Sequence, residues 1–274
     1  MIKQFINGEW VEAIDKNEIN LINPATEEII ERLSYANDKD CHAAIDAAQA
    51  AFKSWSKTTP YFRAEILKKA ANYLRENIDA IATDMVHESG KPYAEAKGEW
   101  GVAANLFEWY AEECKRAYGK IIPSIRADKR MSVIYQPMGV IGVITAWNFP
   151  AYNPARAWAA ALAAGSTVVA KPSENTPLAG VHLAKALEVS GLPKGVLNVL
   201  IGKASPIGDE MLNNPLLKKI SFTASTAVGK LLMDGASKTN TKLALELGGN
   251  APVIIFEDAD VASVAKVASI FSRR

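Results

Sequence analysis

The feature that most constrains the fold is a regular alternation of short apolar segments and helix-like segments that begins near residue 139. Five apolar segments predict strands, at residues 140–145, 167–170, 196–200, 219–222 and 242–245. Four segments between them predict helices, at residues 152–164, 177–190, 205–212 and 225–235. Strands rich in β-branched residues, joined by helices that end at glycine, are typical of parallel-sheet crossovers. We therefore predict an α/β fold with a doubly wound, mainly parallel nucleotide-binding sheet.

The first 120 residues predict short strands followed by a layer of helices. An Asn-Gly pair at residues 7–8 lies between two strand-like segments, which is a strong hairpin signal. Asp38 or Asp40 is expected to cap a first helix, and Thr59 starts a second helix that ends at the break at residues 89–92. A third long helix follows. We expect the aromatic residues of this N-terminal helical layer to lie in the core.

Residues 121–138 differ in character from both neighbours. Two isoleucines and a proline are followed by a charged run at residues 126–130 and an alternating segment at residues 131–136. This pattern predicts an extended β-hairpin of the kind that reaches another subunit. A plain surface hairpin is the alternative, and the sequence favours neither.

After residue 246 a second α/β pattern begins. Residues 253–256 predict a strand, and Asp258 or Asp260 starts a helix that is still in progress at residue 274. No closing strand follows. We interpret residues 247–274 as the truncated start of another domain.

Charge and cysteine content narrow the classes of function. There are 31 Lys and Arg against 30 Asp and Glu, a net charge of +1, so nothing supports nucleic acid or an anionic membrane as a partner. No apolar segment approaches the length of a membrane span, and the N-terminus has no apolar secretory segment. Cys41 and Cys114 are too widely spaced for a disulfide framework, which favours a cytoplasmic location. No metal site is predicted.

Polar residues follow several predicted strands at their carboxyl ends, the edge at which open α/β sheets bind ligands. Asn148 lies between Trp147 and Phe149 after the first strand. Its side-chain amide could stabilise a developing oxyanion. The alternative is a turn asparagine that hydrogen-bonds to its own backbone.

Two further strands end in residues suited to a dinucleotide. Lys171 and Glu174 follow the second strand, where an acidic group can bind ribose hydroxyls and favour NAD over its 2′-phosphorylated form. Ser225 and Thr226 open a helix whose free amides suit a pyrophosphate. The alternatives are a surface ion pair and an ordinary helix cap. The usual G-x-G-x-x-G sequence is missing after the first strand.

Glu246 follows the last of these strands and precedes Gly248 and Gly249. The glycines allow a tight turn and a close approach of the backbone. Partial burial of such a carboxyl group would raise its pKa and suit a general base. The alternative is a glutamate that caps a turn or pairs with a lysine.

Together, the segments at residues 145–150, 171–177, 222–229 and 245–252 resemble the NAD(P)-dependent aldehyde dehydrogenase family. The last segment is similar to the family's glutamate active-site signature at every position. The resemblance covers the whole chain, including residues 6–10 and 23–26. Within the family, the chain is most similar to semialdehyde and broad aliphatic aldehyde dehydrogenases.

The resemblance implies a role for each matched residue. Glu246 would be the general base that activates the deacylating water, and Asn148 would form part of the oxyanion hole. Lys171 and Glu174 would bind the adenine ribose and Ser225 the pyrophosphate. The cofactor cleft would also be lined by Ile144, Thr145, Trp147 and Leu247. The implied cofactor is NAD, with NADP possible, and the implied substrate is a small aldehyde. One departure is Ala224, which stands where the family commonly has glycine.

The resemblance also implies a domain arrangement. Residues 1–120 and 139–246 would form the NAD(P)-binding domain, residues 121–138 an oligomerisation hairpin, and residues 247–274 the start of the catalytic domain. The assembly would be a homodimer or homotetramer.

The family's nucleophile is a cysteine roughly thirty residues after the general base, where it attacks the aldehyde as a thiolate. Only 28 residues follow Glu246 here, and neither Cys41 nor Cys114 lies in a comparable place. We therefore expect an aldehyde dehydrogenase whose catalytic cysteine lies beyond this chain's end. The alternative is a catalytically inactive dinucleotide-binding fragment or subunit-interaction module.

Overall fold

The computed structural model describes residues 1–271. Its strands are β1 (Gln4–Ile6), β2 (Glu9–Val11), β3 (Glu18–Ile22), β4 (Ile29–Ser34), β5 (Lys120–Ile122), β6 (Met131–Val133), β7 (Val140–Thr145), β8 (Thr167–Lys171), β9 (Leu197–Val199), β10 (Leu217–Thr223) and β11 (Lys242–Glu246). Its α-helices are α1 (Asp38–Trp55), α2 (Pro60–Glu76), α3 (Ile78–Ser89), α4 (Tyr93–Glu113), α5 (Tyr152–Ala163), α6 (Pro177–Val189), α7 (Ala204–Asn213), α8 (Thr226–Thr239) and α9 (Val261–Phe271).

The main sheet confirms the predicted α/β fold. Its strand order is β11-β10-β7-β8-β9-β1-β2, and the five strands from β11 to β9 are parallel. Strand β7 lies in the middle of the five parallel strands, and the chain first builds outward through β8 and β9 and then returns to the other side of β7 as β10 and β11. The order of strands therefore reverses between β7 and β10, and ligands of open α/β sheets bind at such a point.

Alternate residues of the central strands face opposite layers of helices, as the pleat of a strand requires. Ile141 and Val143 pack in the cluster that contains α5 and α6, with α2 and α4 behind them. Val140 and Val169 pack in the opposite cluster, with α1, α7 and α8. The N-terminal helices are thus divided between the two faces rather than gathered in one layer.

Two helix boundaries differ from the prediction. Asn37, and not Asp38 or Asp40, caps α1, because its backbone is extended and its side chain accepts from the amide of Lys39. The helix predicted from residue 60 to residue 89 is broken at Asn77. The Asn77 side chain bonds to the Tyr73 carbonyl at 2.8 Å, and short polar side chains of this kind compete with the helix for backbone groups.

The predicted hairpin is present at residues 120–133. Strands β5 and β6 pair antiparallel, with Lys120 opposite Val133 and Ile122 opposite Met131. Its apolar side chains are largely exposed: Ile121 is 89% accessible and Ile125 is fully accessible. The hairpin therefore presents an apolar surface to its surroundings.

The strand predicted at residues 253–256 is wrong. These residues form no regular structure, and Val253, Ile254 and Phe256 are exposed. A strand needs a neighbour to satisfy its backbone groups, and within residues 1–271 strand β11 pairs only with β10. Helix α9 is present and begins as expected at Asp260, whose carboxylate accepts from the amides of Ala262 and Ser263. The predicted continuation through residues 272–274 lies outside the described residues.

Candidate active site at the strand ends

One row of residues, which we call the strand-end row, crosses the carboxyl edge of the sheet. Thr145, Thr223 and Glu246 are register partners at the ends of β7, β10 and β11. The row continues into the loops, because the amide of Ala146 donates to the Thr223 carbonyl at 2.8 Å and the amide of Ala224 donates to the Glu246 carbonyl at 3.2 Å. The loops that contain Asn148, Ser225 and Glu246 therefore leave the sheet at one level, next to the point where the strand order reverses.

Glu246 is exposed rather than partly buried, with 64% of its side chain accessible. Its carboxylate lies 3.7 Å from Nη1 of Arg156, and the same guanidinium donates to the Thr223 hydroxyl at 3.4 Å. The expectation of partial burial is wrong for this arrangement, because the segment after Glu246 does not cover it. An arginine, not a lysine, is the partner.

Arg156 was missed by the sequence reasoning. It is the single basic residue in α5, a helix otherwise composed of small and apolar residues apart from Asn153 and Tyr152. A lone arginine in such a helix is a usable signal, because it must direct its charge to solvent or to a polar site. Here the charge points to the strand-end row.

Asn148 is exposed, and its side-chain amide has no hydrogen-bond partner within residues 1–271. Its backbone carbonyl accepts from Nζ of Lys91 at 2.9 Å. The alternative of an asparagine satisfied by its own turn therefore does not describe this residue. Trp147, next to it, is 56% accessible and lines a cavity together with Glu174.

Lys171 and Glu174 form an ion pair, as the sequence suggested, but not a surface pair. Lys171 ends β8 beside Ile144 of β7, and its side chain is 3% accessible, whereas that of Glu174 is 30% accessible. A buried ammonium held by one partly exposed carboxylate leaves that carboxylate able to contact a ligand. Burial and the nearby Glu174 charge both raise the pKa of Tyr35.

Two carboxylates from the N-terminal helices occupy the N-termini of the crossover helices on one face. Glu99 of α4 accepts from the amides of Ala151 and Tyr152, at 2.8 and 3.0 Å, where α5 begins. Glu88 of α3 accepts from the amides of Leu178 and Ala179, at 2.7 and 3.1 Å, where α6 begins. Burial raises the pKa of Glu88 well above its usual range, and the two amide bonds oppose that rise.

The N-terminus of α8 is open in comparison. Ser225 caps it, accepting from the Val228 amide at 3.4 Å, and residues 225–228 are exposed. The amides of Thr226 and Ala227 have no acceptor in the described part of the chain. Ser225 is therefore an ordinary cap, and its helix end can still accept an anion.

Two other residues that the family resemblance singled out, Ala224 and Leu247, lie beside the first turn of α8. Ala224 packs against the hydrophobic cluster that contains Phe222, so its methyl group is engaged by protein. Leu247 is 37% accessible and packs on α8, where a Cβ added at Gly229 would lie 2.6 Å from its Cδ2 atom.

Neither cysteine lies in the strand-end row. The Cys41 thiol is buried and contacts the carbonyl of Ile207 at 3.7 Å, and burial raises its pKa. The Cys114 thiol donates to the carbonyl of Pro60 at 3.2 Å, and burial raises its pKa as well. A nucleophilic cysteine needs a lowered pKa and access to substrate, so neither thiol fits that role.

Comparison with known proteins decides the family. The aldehyde dehydrogenase family matches this chain over residues 10–272. The chain belongs to that family. This confirms the family predicted from residues 145–150, 171–177, 222–229 and 245–252. Within residues 1–271 of this aldehyde dehydrogenase family member, no group of three or more His, Cys, Asp or Glu side chains could hold a metal ion. Over the same residues, no helix is both long and apolar enough to cross a membrane.

Named members of the aldehyde dehydrogenase family show how far the similarity extends. The chain is 46% identical over 256 residues to the succinate-semialdehyde dehydrogenase [NADP(+)] of Escherichia coli, which is 93% of this chain and 53% of that protein. It is 44% identical over 270 residues to the glutarate-semialdehyde dehydrogenase of Pseudomonas putida, which is 98% of this chain and 56% of that protein. These relatives confirm the predicted similarity to semialdehyde dehydrogenases.

A solved aldehyde dehydrogenase has the same fold. The betaine aldehyde dehydrogenase of Staphylococcus aureus in complex with NAD+ matches with a TM-score of 0.92 at 36% identity, over 95% of this chain and 52% of that one. The chain therefore spans about half the length of the relatives that it matches.

Proposed function

We propose that this protein oxidises an aldehyde to a carboxylic acid with NAD as its cofactor, and that NADP can replace NAD. The observation that supports this proposal best is the strand-end row. It brings the loops of Asn148, Ser225 and Glu246 to one level at the reversal of strand order. Cofactor cleft and acid–base chemistry meet at such a point in α/β enzymes.

The residues present fit a dinucleotide. The open N-terminus of α8, capped by Ser225, offers unpaired amides to the pyrophosphate. The partly exposed Glu174 carboxylate, held by the buried Lys171, suits the adenine-ribose hydroxyls and repels a 2′-phosphate. Ile144, Thr145, Trp147 and Leu247 complete the proposed cleft. Ala224 leaves the fit intact, because its methyl group packs inward.

The side chains divide the proposed chemistry among them. NAD, when bound, accepts the hydride that leaves the aldehyde carbon. The free amide of Asn148 donates to the oxyanion that forms when a thiolate adds to the carbonyl carbon. Glu246 takes a proton from the water that then attacks the thioester and releases the acid. Exposure of Glu246 gives that water access.

We propose further that the aldehyde has a carboxylate at its other end. Arg156 places a guanidinium 3.7 Å from Glu246, with no other carboxylate within salt-bridge distance among the described residues. An arginine can bind a carboxylate with two parallel hydrogen bonds. The relatives named for succinate and glutarate semialdehydes support this class of substrate.

The thiolate is the one participant that Cys41 and Cys114 do not supply. Both are buried with raised pKa values and lie away from the strand-end row. We therefore propose that the nucleophile is a cysteine outside these 274 residues. The same observation favours a second candidate function: cofactor binding without turnover, as an inactive dinucleotide-binding or subunit-interaction module.

We also propose the domain division made from the sequence, with residues 1–120 and 139–246 binding the cofactor and residues 247–274 beginning the catalytic domain. The exposed apolar hairpin supports assembly as a homodimer or homotetramer through residues 121–138. The two free cysteines support a reducing, cytoplasmic setting.

Cofactor binding and turnover are tested separately. A thermal-shift titration of the chain with NAD and NADP should raise the melting temperature, more strongly with NAD, and Glu174→Gln should reduce that preference. No shift at millimolar concentration of either would contradict the cofactor site. Aldehyde-dependent NADH formation by the 274-residue chain that persists after both cysteines are replaced would contradict the proposed location of the nucleophile.

The substrate proposal is tested on the protein expressed from its own gene. Arg156→Met should raise KM for succinate semialdehyde roughly 10- to 100-fold, because one charge-assisted pair is lost. It should change KM for butanal little. The buried-face variant Arg63→Met is unsuitable as a control because Arg63 supports the α5 C-terminus, so the exposed Arg75→Met is the matched control. Equal effects on both aldehydes would contradict the carboxylate-binding role.

A further inference from the structure

We propose that Lys91 and Glu99, which lie outside the nucleotide-binding sheet, are positioning residues for the Asn148 oxyanion donor. The proposal rests on the role proposed for Asn148. Lys91 follows the break after α3, and Glu99 lies in the second turn of α4. Neither has a place in the strand-end row. Together they hold the loop in which Asn148 lies.

The contacts of this pair concentrate on five consecutive residues. Nζ of Lys91 donates to the Asn148 carbonyl at 2.9 Å and lies 4.4 Å from the centre of the Phe149 ring. One carboxylate oxygen of Glu99 accepts from the amides of Ala151 and Tyr152, at 2.8 and 3.0 Å. The other oxygen pairs with Lys91. Residues 148–152 are thus attached at both ends to one ion pair.

This ion pair is mostly buried. The Lys91 side chain is 13% accessible and that of Glu99 is 4% accessible. Removing two charges from water is costly, and the cost is met only with good geometry and with further hydrogen bonds to the remaining polar atoms. Here those further bonds go to the Asn148 loop rather than to α3 or α4. The pair therefore orients that loop rather than joining its own helices.

The side chain of Asn148 needs such support. Its amide is exposed and has no hydrogen-bond partner in the described part of the chain, so no side-chain hydrogen bond fixes its direction. Its backbone is held through the carbonyl that accepts from Lys91. An oxyanion donor acts only when its N–H group is preorganised toward the position of the developing charge. Loss of Lys91 would release that group without removing it.

A double-mutant cycle on the protein expressed from its own gene tests this coupling. Asn148→Ala should lower kcat about 100- to 1000-fold, as loss of one oxyanion donor does. Lys91→Met should lower kcat about 10- to 100-fold, because a displacement of about 1 Å costs roughly that much. In the Asn148→Ala background, Lys91→Met should lower kcat no more than about twofold, because the group that it positions is already gone.

Three controls separate positioning from general stability. The affinity for NAD should be the same in Lys91→Met as in the wild type, since the cofactor contacts are elsewhere. Lys91→Arg, which keeps a cation for Glu99, should retain most of kcat. Lys97→Met is the matched control: Lys97 also pairs with a carboxylate, that of Asp79, but on the exposed side of α4. It should leave kcat within about twofold of the wild type.

Hydrogen exchange gives a readout that does not depend on turnover. Glu99→Ala should increase exchange at the amides of Ala151 and Tyr152 more than at the amides of Leu178 and Ala179, which Glu88 holds. A Lys91→Met loss of kcat that is undiminished in the Asn148→Ala background, or an unchanged kcat, would overturn the proposal. An unchanged kcat in Asn148→Ala itself would instead refute the proposed role of Asn148, and the positioning role with it.

Discussion

The crossover helices begin in contrasting ways at the same edge of the sheet. Helices α5 and α6 begin at buried carboxylates from α4 and α3, whereas α8 begins at its own Ser225 in solvent. All three have the positive end of a helix dipole there. Where a carboxyl group of the protein accepts from the first amides of a helix, that helix end is a structural contact; where none does, the end is free to bind an anion. The difference supports the proposal that α8 binds the pyrophosphate.

The largest effect on stability is expected when the carboxylate that fills the N-terminus of α5 is removed. Glu99→Ala leaves the ammonium of Lys91 without its partner and two amides without an acceptor, so the free energy of unfolding should fall by about 3–5 kcal/mol. Urea denaturation measures this loss. Glu95→Ala, one turn earlier on α4, is the control, since its side chain makes no hydrogen bond or ion pair within residues 1–271. A loss below about 1 kcal/mol for Glu99→Ala would contradict the structural role.

Alanine substitutions of one glycine in α6 and one in α8 test whether the surroundings of α6, whose N-terminus is filled, are more rigid than those of α8, whose N-terminus is open. A Cβ at Gly180 of α6 would lie 2.8 Å from Cγ of the Pro172 ring, which cannot turn aside, so Gly180→Ala should cost about 1–3 kcal/mol. A Cβ at Gly229 of α8 would meet the flexible end of Leu247 at 2.6 Å, so Gly229→Ala should cost under about 1 kcal/mol. Denaturant midpoints of the two variants decide, and equal losses would contradict the contrast.

The pH dependence of stability should reveal Glu88. Because burial raises the pKa of Glu88, the folded state keeps its proton to higher pH than the unfolded state does. Stability should therefore fall as pH rises above the unfolded value of 4.5 toward the folded pKa, with a slope of at most about 1.4 kcal/mol per pH unit. Glu88→Gln, which does not titrate, should remove this part of the slope in denaturation curves measured at several pH values. An unchanged slope would show that Glu88 is not the source.

The smallest effect on stability is expected when a carboxylate is placed at the open N-terminus of α8. This change should raise the stability of the protein and lower its affinity for NAD. Aspartate caps helices as well as serine does and adds a favourable charge at the positive end, so Ser225→Asp should raise stability by about 0.3–1 kcal/mol. The same charge should repel a pyrophosphate and weaken NAD binding about tenfold or more. Melting curves with and without NAD measure both. Unchanged NAD affinity would place the pyrophosphate elsewhere.

Local patterns were sufficient for most of the elements. The Asn7-Gly8 turn adopts positive φ at both residues and joins β1 to β2, as the hairpin prediction requires. Thr59 caps α2. The strands predicted between residues 140 and 245 all appear in one sheet. The strand at residues 253–256 failed because an apolar run predicts burial without saying against what, and no neighbour is present in residues 1–271.

The candidate site was only partly predictable. The sequence proposed Asn148, Lys171, Glu174, Ser225 and Glu246 as site residues because each lies at or after the end of a strand, and strand ends are visible in the sequence. Arg156, Lys91, Glu88 and Glu99 were missed because each lies within or beside a helix and reaches its target across the fold. Residues 89–92 were interpreted only as a helix break. The proposed positioning role of Lys91 depends on its hydrogen bond to the Asn148 carbonyl, which lies 57 positions away in the chain.

The sequence by itself determined the alternation of strands and helices, the family and the residues at the strand ends. These depend on residues only a few positions apart in the chain. Only the tertiary structure decided which helix ends are filled, that Glu246 is exposed beside Arg156, and that Lys91 donates a hydrogen bond to the Asn148 carbonyl. The reason is physical: hydrogen bonding and burial at these groups are set by side chains distant in sequence, and no local pattern of charge or hydrophobicity specifies which of them will meet.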